Sequence, residues 1–251
     1  MIEAFREAWA LEGFWWLVAI IGLAGLVRGF AGFGTGMVFI PLASIFLPPL
    51  AVMAAVIAVD VAGSAPVLPR AIRDVRGRDL GWMLAGCVLA LPLGTYALTA
   101  SDPAVFRWGV SGLSLALVAL LISGWRHHVD LGPKGLAGVG VASGFLGGFV
   151  GMPGPPVVLA YLGGQYRPER VRATTLLFML SFVAMLGVVF ALRGVLSWPG
   201  IALGLLLIPP YVAGNLAGQA LFDPEKARLY RAVAYAVFIA SALAGLPIFG
   251  D

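Results

Sequence analysis

Gly29–Pro41 reads GFAGFGTGMVFIP and interrupts a long apolar run near the start of the chain. A related stretch, GFLGGFVGMPGPP, occupies Gly144–Pro156, 115 positions further along. When the two stretches are aligned without gaps, they are identical at six positions of the first: Gly29, Phe30, Gly32, Gly36, Met37 and Pro41. Paired glycine and proline breaks in the two halves of a chain are typical of membrane transporters, in which they mark the substrate site.

The composition of the chain predicts a membrane protein. Of its 251 residues, 61% are hydrophobic and 11% are charged, and the mean hydropathy is +0.98. Soluble domains carry about 25% charged residues, so this composition excludes a water-facing surface over most of the chain. The length suits roughly eight to ten helical segments at about 20 residues per crossing. A single cysteine, Cys87, provides no disulfide framework.

The apolar runs and their breaks divide the chain into helical segments. The predicted segments are Phe14–Val27, Val38–Phe46, Leu50–Leu68, Leu80–Leu98, Pro103–Ile122, Gly135–Phe149, Pro156–Leu162, Arg172–Leu192, Trp198–Ala220 and Ala227–Leu246. Two of them, Val38–Phe46 and Pro156–Leu162, are too short to cross a bilayer and are predicted to be half-helices. We therefore predict an all-α fold, a polytopic membrane helix bundle in one integral-membrane domain. It consists of two repeats, 1–125 and 126–251, each with one broken pair and three full transmembrane helices.

Basic residues are concentrated in four loops. The loops Arg70–Asp79, Arg126–Lys134, Arg167–Arg172 and Asp223–Arg231 hold 12 of the 16 Lys and Arg residues. If each broken pair enters the membrane and returns, each half crosses an odd number of times and all four loops share one face. The positive-inside rule makes that face cytoplasmic and places both termini outside. If the broken pairs crossed once, the basic loops would divide between the faces, so we predict inverted repeats.

The glycine clusters at the breaks permit two interpretations. Gly-xxx-Gly spacing, as between Gly32 and Gly36, lets helices pack closely. Pro153-Gly154-Pro155-Pro156 does not fit inside a helix but suits a helix start, where free N–H groups and the positive dipole end attract anions. We favour the second interpretation. The candidate substrate-binding residues at the breaks are Gly32, Phe33, Gly34, Thr35, Gly36, Gly148, Gly151, Met152, Pro153 and Gly154.

Two charged residues lie within the predicted spans. Arg28 immediately precedes the first break, and intramembrane arginine usually marks a pathway because its burial is costly. It is a candidate substrate ligand, since a guanidinium binds oxyanions bidentately, or it extends to the headgroups or serves as a structural counter-ion. Asp60 lies near the middle of its segment, with Ser64 one turn later. Asp60 either pairs structurally with Arg28 or carries a coupled proton.

Further polar groups lie in the apolar segments. The candidates for lining a cavity or for joining two helices are Ser64, Tyr211, Asn215 and Gln219. Asn215 and Gln219 share a helix face at i, i+4. Thr174 and Thr175 rank higher as substrate ligands because they lie in the repeat equivalent of the Asp60 helix. No motif of an enzyme, a metal site or a cofactor site is present, so we predict none of these.

Both break motifs, the duplicated halves and the spacing of the segments resemble the TauE/SafE family of bacterial membrane proteins, the sulfite exporters. The resemblance covers essentially the whole chain, and its most specific parts are Gly29–Leu42 and Gly144–Leu159. It implies transport of sulfite or of organosulfonates such as sulfoacetate and sulfolactate across the bacterial inner membrane. Family members often carry an Ala-Thr-Ser-like step after each motif. Ala173-Thr174-Thr175 matches that step, whereas Ala58-Val59-Asp60 departs from it.

The sequence thus predicts a secondary transporter that moves small sulfur-containing anions by alternating access, with protons as the candidate coupling ion. Its predicted partners are the anionic substrate and the lipid bilayer, and no nucleic acid. Two alternatives stay open: a passive anion channel on the same fold, and an accessory membrane subunit of a sulfur pathway. The substrate, the direction of transport, the coupling ion and the oligomeric state do not follow from the sequence.

Overall fold

The computed structural model is built of helices throughout the part of the chain that it describes, which comprises residues 2–31, 33–64, 72, 75–123, 131–161 and 168–248. In chain order the helices are α1 (Ile2–Trp9), α2 (Phe14–Ala31), α3 (Thr35–Ala43), α4 (Pro49–Ser64), α5 (Gly77–Ala100), α6 (Pro103–Ser123), α7 (Pro133–Val150), α8 (Gly154–Tyr161), α9 (Pro168–Leu192), α10 (Trp198–Leu221) and α11 (Ala227–Ala244). A 3₁₀ turn, Pro224–Lys226, precedes α11. Each predicted segment overlaps one helix, with ends that differ by a few residues, and the all-α class is confirmed.

Within the described part of the chain, five helices are long and apolar enough to cross a membrane: α2, α5, α6, residues Ala173–Leu192 of α9, and α10. Because these spans recur along the chain, the protein is a multi-pass membrane protein. Large apolar side chains project outward from them, including Leu89 and Leu192, which are 74% and 83% exposed. Such side chains suit contact with lipid rather than water.

Two helices are as short as predicted. Helix α3 has nine residues and α8 has eight, so each covers about 12 to 14 Å and less than half of the hydrocarbon layer. The predicted start of α3 at Val38 was three residues late. The helix begins at Thr35 because the N–H groups of Met37 and Val38 already donate to the carbonyl of Gly34, at 3.0 and 3.2 Å.

Several predictions fall outside the described residues. They concern Gly32, the helix end at Leu68, Leu162, the side chain of Ser64, the basic residues Arg70, Arg73, Arg126 and Arg167, and the side chains of Arg170 and Arg172.

The helices group into two compact units. Unit 1 comprises Met1–Val59, Asp102–Ala119 and Ser197–Asp251, and unit 2 comprises Asp60–Ser101 and Leu120–Leu196. Each unit therefore combines segments from both halves of the sequence. In unit 1, α2 and α3 come from the first half and α10 and α11 from the second. In unit 2, α5 comes from the first half and α7, α8 and α9 from the second. The repeats 1–125 and 126–251, and their inversion, stay predictions about the order of segments along the chain.

In unit 1, glycines allow α2 and α10 to approach backbone to backbone. A Cβ placed on Gly25 would lie 2.4 Å from the carbonyl oxygen of Tyr211, and a Cβ on Gly214 would lie 2.2 Å from that of Gly22. Cβ atoms essentially never approach other atoms within 3.0 Å. Only glycine therefore fits at these two positions, as at small-residue helix contacts in membranes generally.

In unit 2, α7 and α5 make the same kind of contact. A Cβ on Gly140 would lie 1.9 Å from the carbonyl oxygen of Met83, and a Cβ on Gly86 would lie 2.0 Å from that of Ala137. The two interfaces correspond position by position. An α2 residue matches the α7 residue 115 places later, and an α10 residue matches the α5 residue 128 places earlier. The motif repeat thus reappears as a repeated helix interface.

Candidate functional site

The first break lies between α2 and α3 in unit 1. Its last residue, Gly34, has φ of +105°, a left-handed conformation that favours glycine. A Cβ on Gly34 would also lie 2.3 Å from the ring of Phe238. The ring of Phe33 stacks against the same Phe238 ring at 5.7 Å between centroids. The glycine thus ends the break and lets α3 start in a new direction.

Three polar side chains meet at this break. Arg28 Nη1 donates to Thr35 Oγ1 at 3.2 Å, and Thr35 Oγ1 lies 3.4 Å from the hydroxyl oxygen of Tyr211. Thr35 and Tyr211 are buried, at 4% and 0% exposure, and Arg28 is half-buried. We call these three residues the polar cluster. It joins α2, α3 and α10 and places a positive charge and two hydroxyl groups together inside an apolar bundle.

The position of Arg28 differs from the sequence prediction. Helix α2 does not stop at Val27 but continues to Ala31, so Arg28 belongs to its last turn. A cation in the last turn is stabilised by the negative end of the helix dipole, by about 0.3–1 kcal/mol. The guanidinium extends across the break to Thr35, the first residue of the next helix.

The start of α3 adds backbone donors to the polar cluster. Among the described residues, the N–H groups of Thr35 and Gly36 have no hydrogen-bond partner. The first N–H groups of a helix are unpaired within the helix and carry the positive end of its dipole. One guanidinium, two hydroxyl groups and two backbone N–H groups thus lie close together at the start of α3. This set of donors suits a small oxyanion.

The second break, in unit 2, lies one helical turn later in the repeat. Helix α7 continues to Val150, the repeat equivalent of Thr35, and α8 begins only at Gly154. Gly151 ends α7 with φ of +74°, and its N–H donates to the carbonyl of Gly147 at 3.0 Å. The shift has a local cause, because Pro153 disfavours a helical conformation in Met152, the residue before it.

The first turn of α8 is poor in donors. Of its first three residues only Gly154 has an N–H, because Pro155 and Pro156 have none. Met152 and Pro153 are buried, and Gly148 packs on α5, where its Cβ would lie 2.8 Å from the carbonyl of Leu91. The two helix starts are therefore not alike. The substrate role of Gly148, Gly151, Met152, Pro153 and Gly154 stays a prediction.

The other predicted site residues are spread over three helices. Asp60 is half-buried in α4, Thr174 is 2% exposed in α9, and Thr175 is half-buried beside it. Along α10, Asn215 Oδ1 accepts a hydrogen bond from Gln219 Nε2 at 3.1 Å, so these two side chains pair on one helix. Their cavity-lining role, and the role of Asp60 as counter-ion or proton carrier, stay predictions.

Sequence reasoning missed several buried polar residues, and Ser143 is the one that matches Arg28 in the repeat. Ser143 of α7 is fully buried, and within the described part of the chain its hydroxyl has no hydrogen-bond partner. It stands 115 positions after Arg28, so the repeat register of the two breaks was the signal that could have found it.

A multi-pass helix bundle with two glycine and proline breaks, one beside a half-buried arginine, defines a membrane-transporter class of protein. The profile of the family described as sulfite exporter TauE/SafE matches residues 17–245. The chain therefore belongs to that family, as the resemblance of its motifs indicated.

A curated relative matches over nearly the same extent. It is the "Probable sulfite/organosulfonate exporter TauE" of Cupriavidus necator, which is 26% identical over 236 residues, 89% of this chain and 90% of the relative. No solved structure matches the chain.

Proposed function

We propose that this protein is a secondary transporter that moves sulfite or small organosulfonates across the bacterial inner membrane by alternating access. Membership of the sulfite exporter family and the name of the Cupriavidus relative support the substrate class. The observation that carries the proposal to particular residues is the polar cluster of Arg28, Thr35 and Tyr211 at the first break.

The chemistry of the cluster matches the proposed substrates. Sulfite and sulfonates present three oxygens around sulfur, and a guanidinium binds two such oxygens in parallel. The hydroxyl groups of Thr35 and Tyr211 and the N–H groups of Thr35 and Gly36 then donate to the remaining oxygen lone pairs. Because Thr35 is buried, a hydrogen bond from its hydroxyl is stronger than it is at a surface.

Glycines at the two breaks supply the movement that alternating access needs. Gly34 and Gly151 have left-handed conformations at the two breaks, and Gly36 follows Thr35 in the first turn of α3. These positions act as hinges at which the half-helices tilt. The ring of Phe33 packs on that of Phe238 beside the first break. Thr174 and Thr175 of α9 stay candidate ligands on the second half of the chain.

The sidedness of the chain follows from its loop charges. The four basic loops lie in the cytoplasm and both termini lie outside.

Asp60 carries the coupled proton. In proteoliposomes, Asp60→Asn is expected to remove the dependence of flux on an imposed pH gradient, whereas Asp102→Asn, at the exposed start of α6, leaves it intact. Proton-dependent flux that persists in Asp60→Asn excludes Asp60 as the carrier.

Transport assays test the proposal directly. Purified protein in proteoliposomes is expected to accumulate labelled sulfite or sulfoacetate against a concentration gradient when a pH gradient is imposed. Flux that only equilibrates the anion identifies a passive channel instead. No flux of either anion by folded protein contradicts the proposed substrate class.

Arginine variants connect the flux to the polar cluster. Arg28→Ala is expected to abolish flux or to raise the apparent KM by about tenfold or more, because a charged hydrogen-bond donor is lost. Arg28→Lys is expected to retain only part of the wild-type flux, because an ammonium does not bind two oxygens in parallel. Arg193→Ala is the control, since Arg193 stacks on the ring of Tyr96 in unit 2. Normal flux in folded Arg28→Ala protein rejects the role of Arg28.

A further inference from the structure

The matching interfaces of the two units allow the polar cluster to be compared with its repeat equivalents. The 115-residue register relates Arg28 to Ser143 and Thr35 to Val150. The 128-residue register relates Tyr211 to Met83, and the paired contacts of Gly25 with Tyr211 and of Gly140 with Met83 fix that correspondence.

The three equivalents in unit 2 form no anion site. Met83 and Ser143 are 0% exposed and Val150 is 1% exposed, and two of these three side chains are apolar. The Ser143 hydroxyl has no hydrogen-bond partner among the described residues. An oxyanion placed there would lose its water without meeting a cation, which is strongly unfavourable.

We propose that each chain binds a single anion, in unit 1, and that Tyr211 is the residue that makes this site specific for anions with three oxygens. The inference rests on the proposed function and names the residue that selects the substrate. Unit 2 keeps the same glycine interface but uses the equivalent positions for packing alone.

The location of Tyr211 supports this role. Its backbone lies in the α2–α10 contact, where Gly25 approaches its carbonyl, so α10 holds the ring in a fixed position relative to the helix that carries Arg28. Its hydroxyl reaches Thr35 at 3.4 Å, well beyond the usual 2.7–2.8 Å of a hydroxyl pair. An oxygen of a bound anion can take the place of this contact and accept from the hydroxyl groups of Thr35 and Tyr211.

The number of donors around the anion explains the specificity. A carboxylate has two oxygens, and the guanidinium of Arg28 can bind both of them. A sulfite or sulfonate has a third oxygen, which needs a donor from another direction. Tyr211 is on a different helix from Arg28 and Thr35, so it provides that direction. Removal of its hydroxyl should therefore weaken the binding of sulfonates far more than that of carboxylates.

Calorimetric titration of the purified full chain tests the inference, with sulfite, ethanesulfonate and propionate as probes. The wild type is expected to bind one sulfite or ethanesulfonate per chain and to bind ethanesulfonate more tightly than propionate. Tyr211→Phe is expected to weaken ethanesulfonate binding by about tenfold and to leave propionate binding nearly unchanged. Met83→Leu, at the equivalent position of unit 2, is expected to change neither.

Thr35→Val gives a second, nearly isosteric test should the tyrosine variant not fold, and the same preferential loss of ethanesulfonate binding is expected. Two anions per chain overturn the inference and leave the proposed function standing. The inference is also overturned, with the proposed function intact, if Tyr211→Phe weakens ethanesulfonate and propionate binding equally. The same holds if Met83→Leu weakens ethanesulfonate binding as much as Tyr211→Phe does. Absence of saturable sulfite and ethanesulfonate binding by folded wild-type protein overturns the proposed function and this inference together.

Discussion

Unit 1 and unit 2 share a helix interface but differ at the break beside it. In unit 1, α2 ends at Ala31 and α3 begins at Thr35, next to Arg28 and Tyr211. In unit 2 the repeat equivalent of Thr35, Val150, still belongs to α7. The glycine contacts depend on backbone shape and recur in both units, whereas the donors at the break depend on three side chains and occur in one.

The two units show that a helix interface can be duplicated in a chain without duplication of the polar cluster beside it. Close backbone contact needs glycine on both helices, so any side chain at these positions disrupts packing. An anion site needs charge and hydroxyl groups, and replacement of these by Ser143, Val150 and Met83 leaves the packing intact. One unit can therefore specialise in binding while the other retains only the scaffold.

The largest expected effect tests the shared interface. Gly140→Ala and Gly25→Ala are each expected to lower the free energy of unfolding by about 3 kcal/mol, because the new Cβ would meet backbone that cannot rotate away. Gly138→Ala, in α7 with no atom within 4 Å of its Cβ, is expected to raise it by up to about 1 kcal/mol. Thermal unfolding in detergent measures all three. A Gly140→Ala protein as stable as Gly138→Ala would break the proposed equivalence of the interfaces.

A smaller effect tests the difference between the breaks. Gly34→Ala is expected to cost about 2 kcal/mol, because Gly34 has a left-handed φ and its Cβ would meet the ring of Phe238. Gly154→Ala, at the start of α8, is expected to stay within about 0.5 kcal/mol, since the nearest atom is 3.5 Å away. The same unfolding assay compares them, and equal losses would show that the two helix starts are built alike.

The smallest effect concerns the buried hydroxyl of unit 2. Ser143→Ala is expected to raise the free energy of unfolding by up to about 1 kcal/mol, because it removes a buried donor that has no partner among the described residues. Thr95→Val is the matched control, since Thr95 is buried in the same unit but donates to the Leu91 carbonyl at 2.9 Å. That variant should lose stability. A loss in Ser143→Ala as well would indicate that Ser143 is hydrogen-bonded.

The sequence predicted the helices well because apolar runs in this chain end at glycine and proline. The half-helices, the break positions and Arg28 all follow from such local signals. The position of the second helix start was harder to predict. Gly36 and Gly151 match in the two motifs, but Pro153 moves the start of α8 one turn later.

The composition of each unit was not predictable from one sequence. Glycines at a helix interface have no side chains that would indicate which helix packs there. The pairing of α2 with α10 and of α5 with α7 therefore appears only in the structure. The same holds for the polar cluster, in which Thr35 and Tyr211 are 176 positions apart. Both residues were candidates from the sequence, but no pattern in it predicted that their side chains are in contact.

The location of a bound anion tests the central claim most directly. Crystals of the full chain grown with selenite, the heavier analogue of sulfite, would locate the anion by the anomalous signal of selenium. The account predicts one selenium peak per chain, within about 4 Å of the Arg28 guanidinium and the hydroxyl oxygens of Thr35 and Tyr211. A peak beside Gly151–Gly154 of unit 2, or one in each unit, would contradict it.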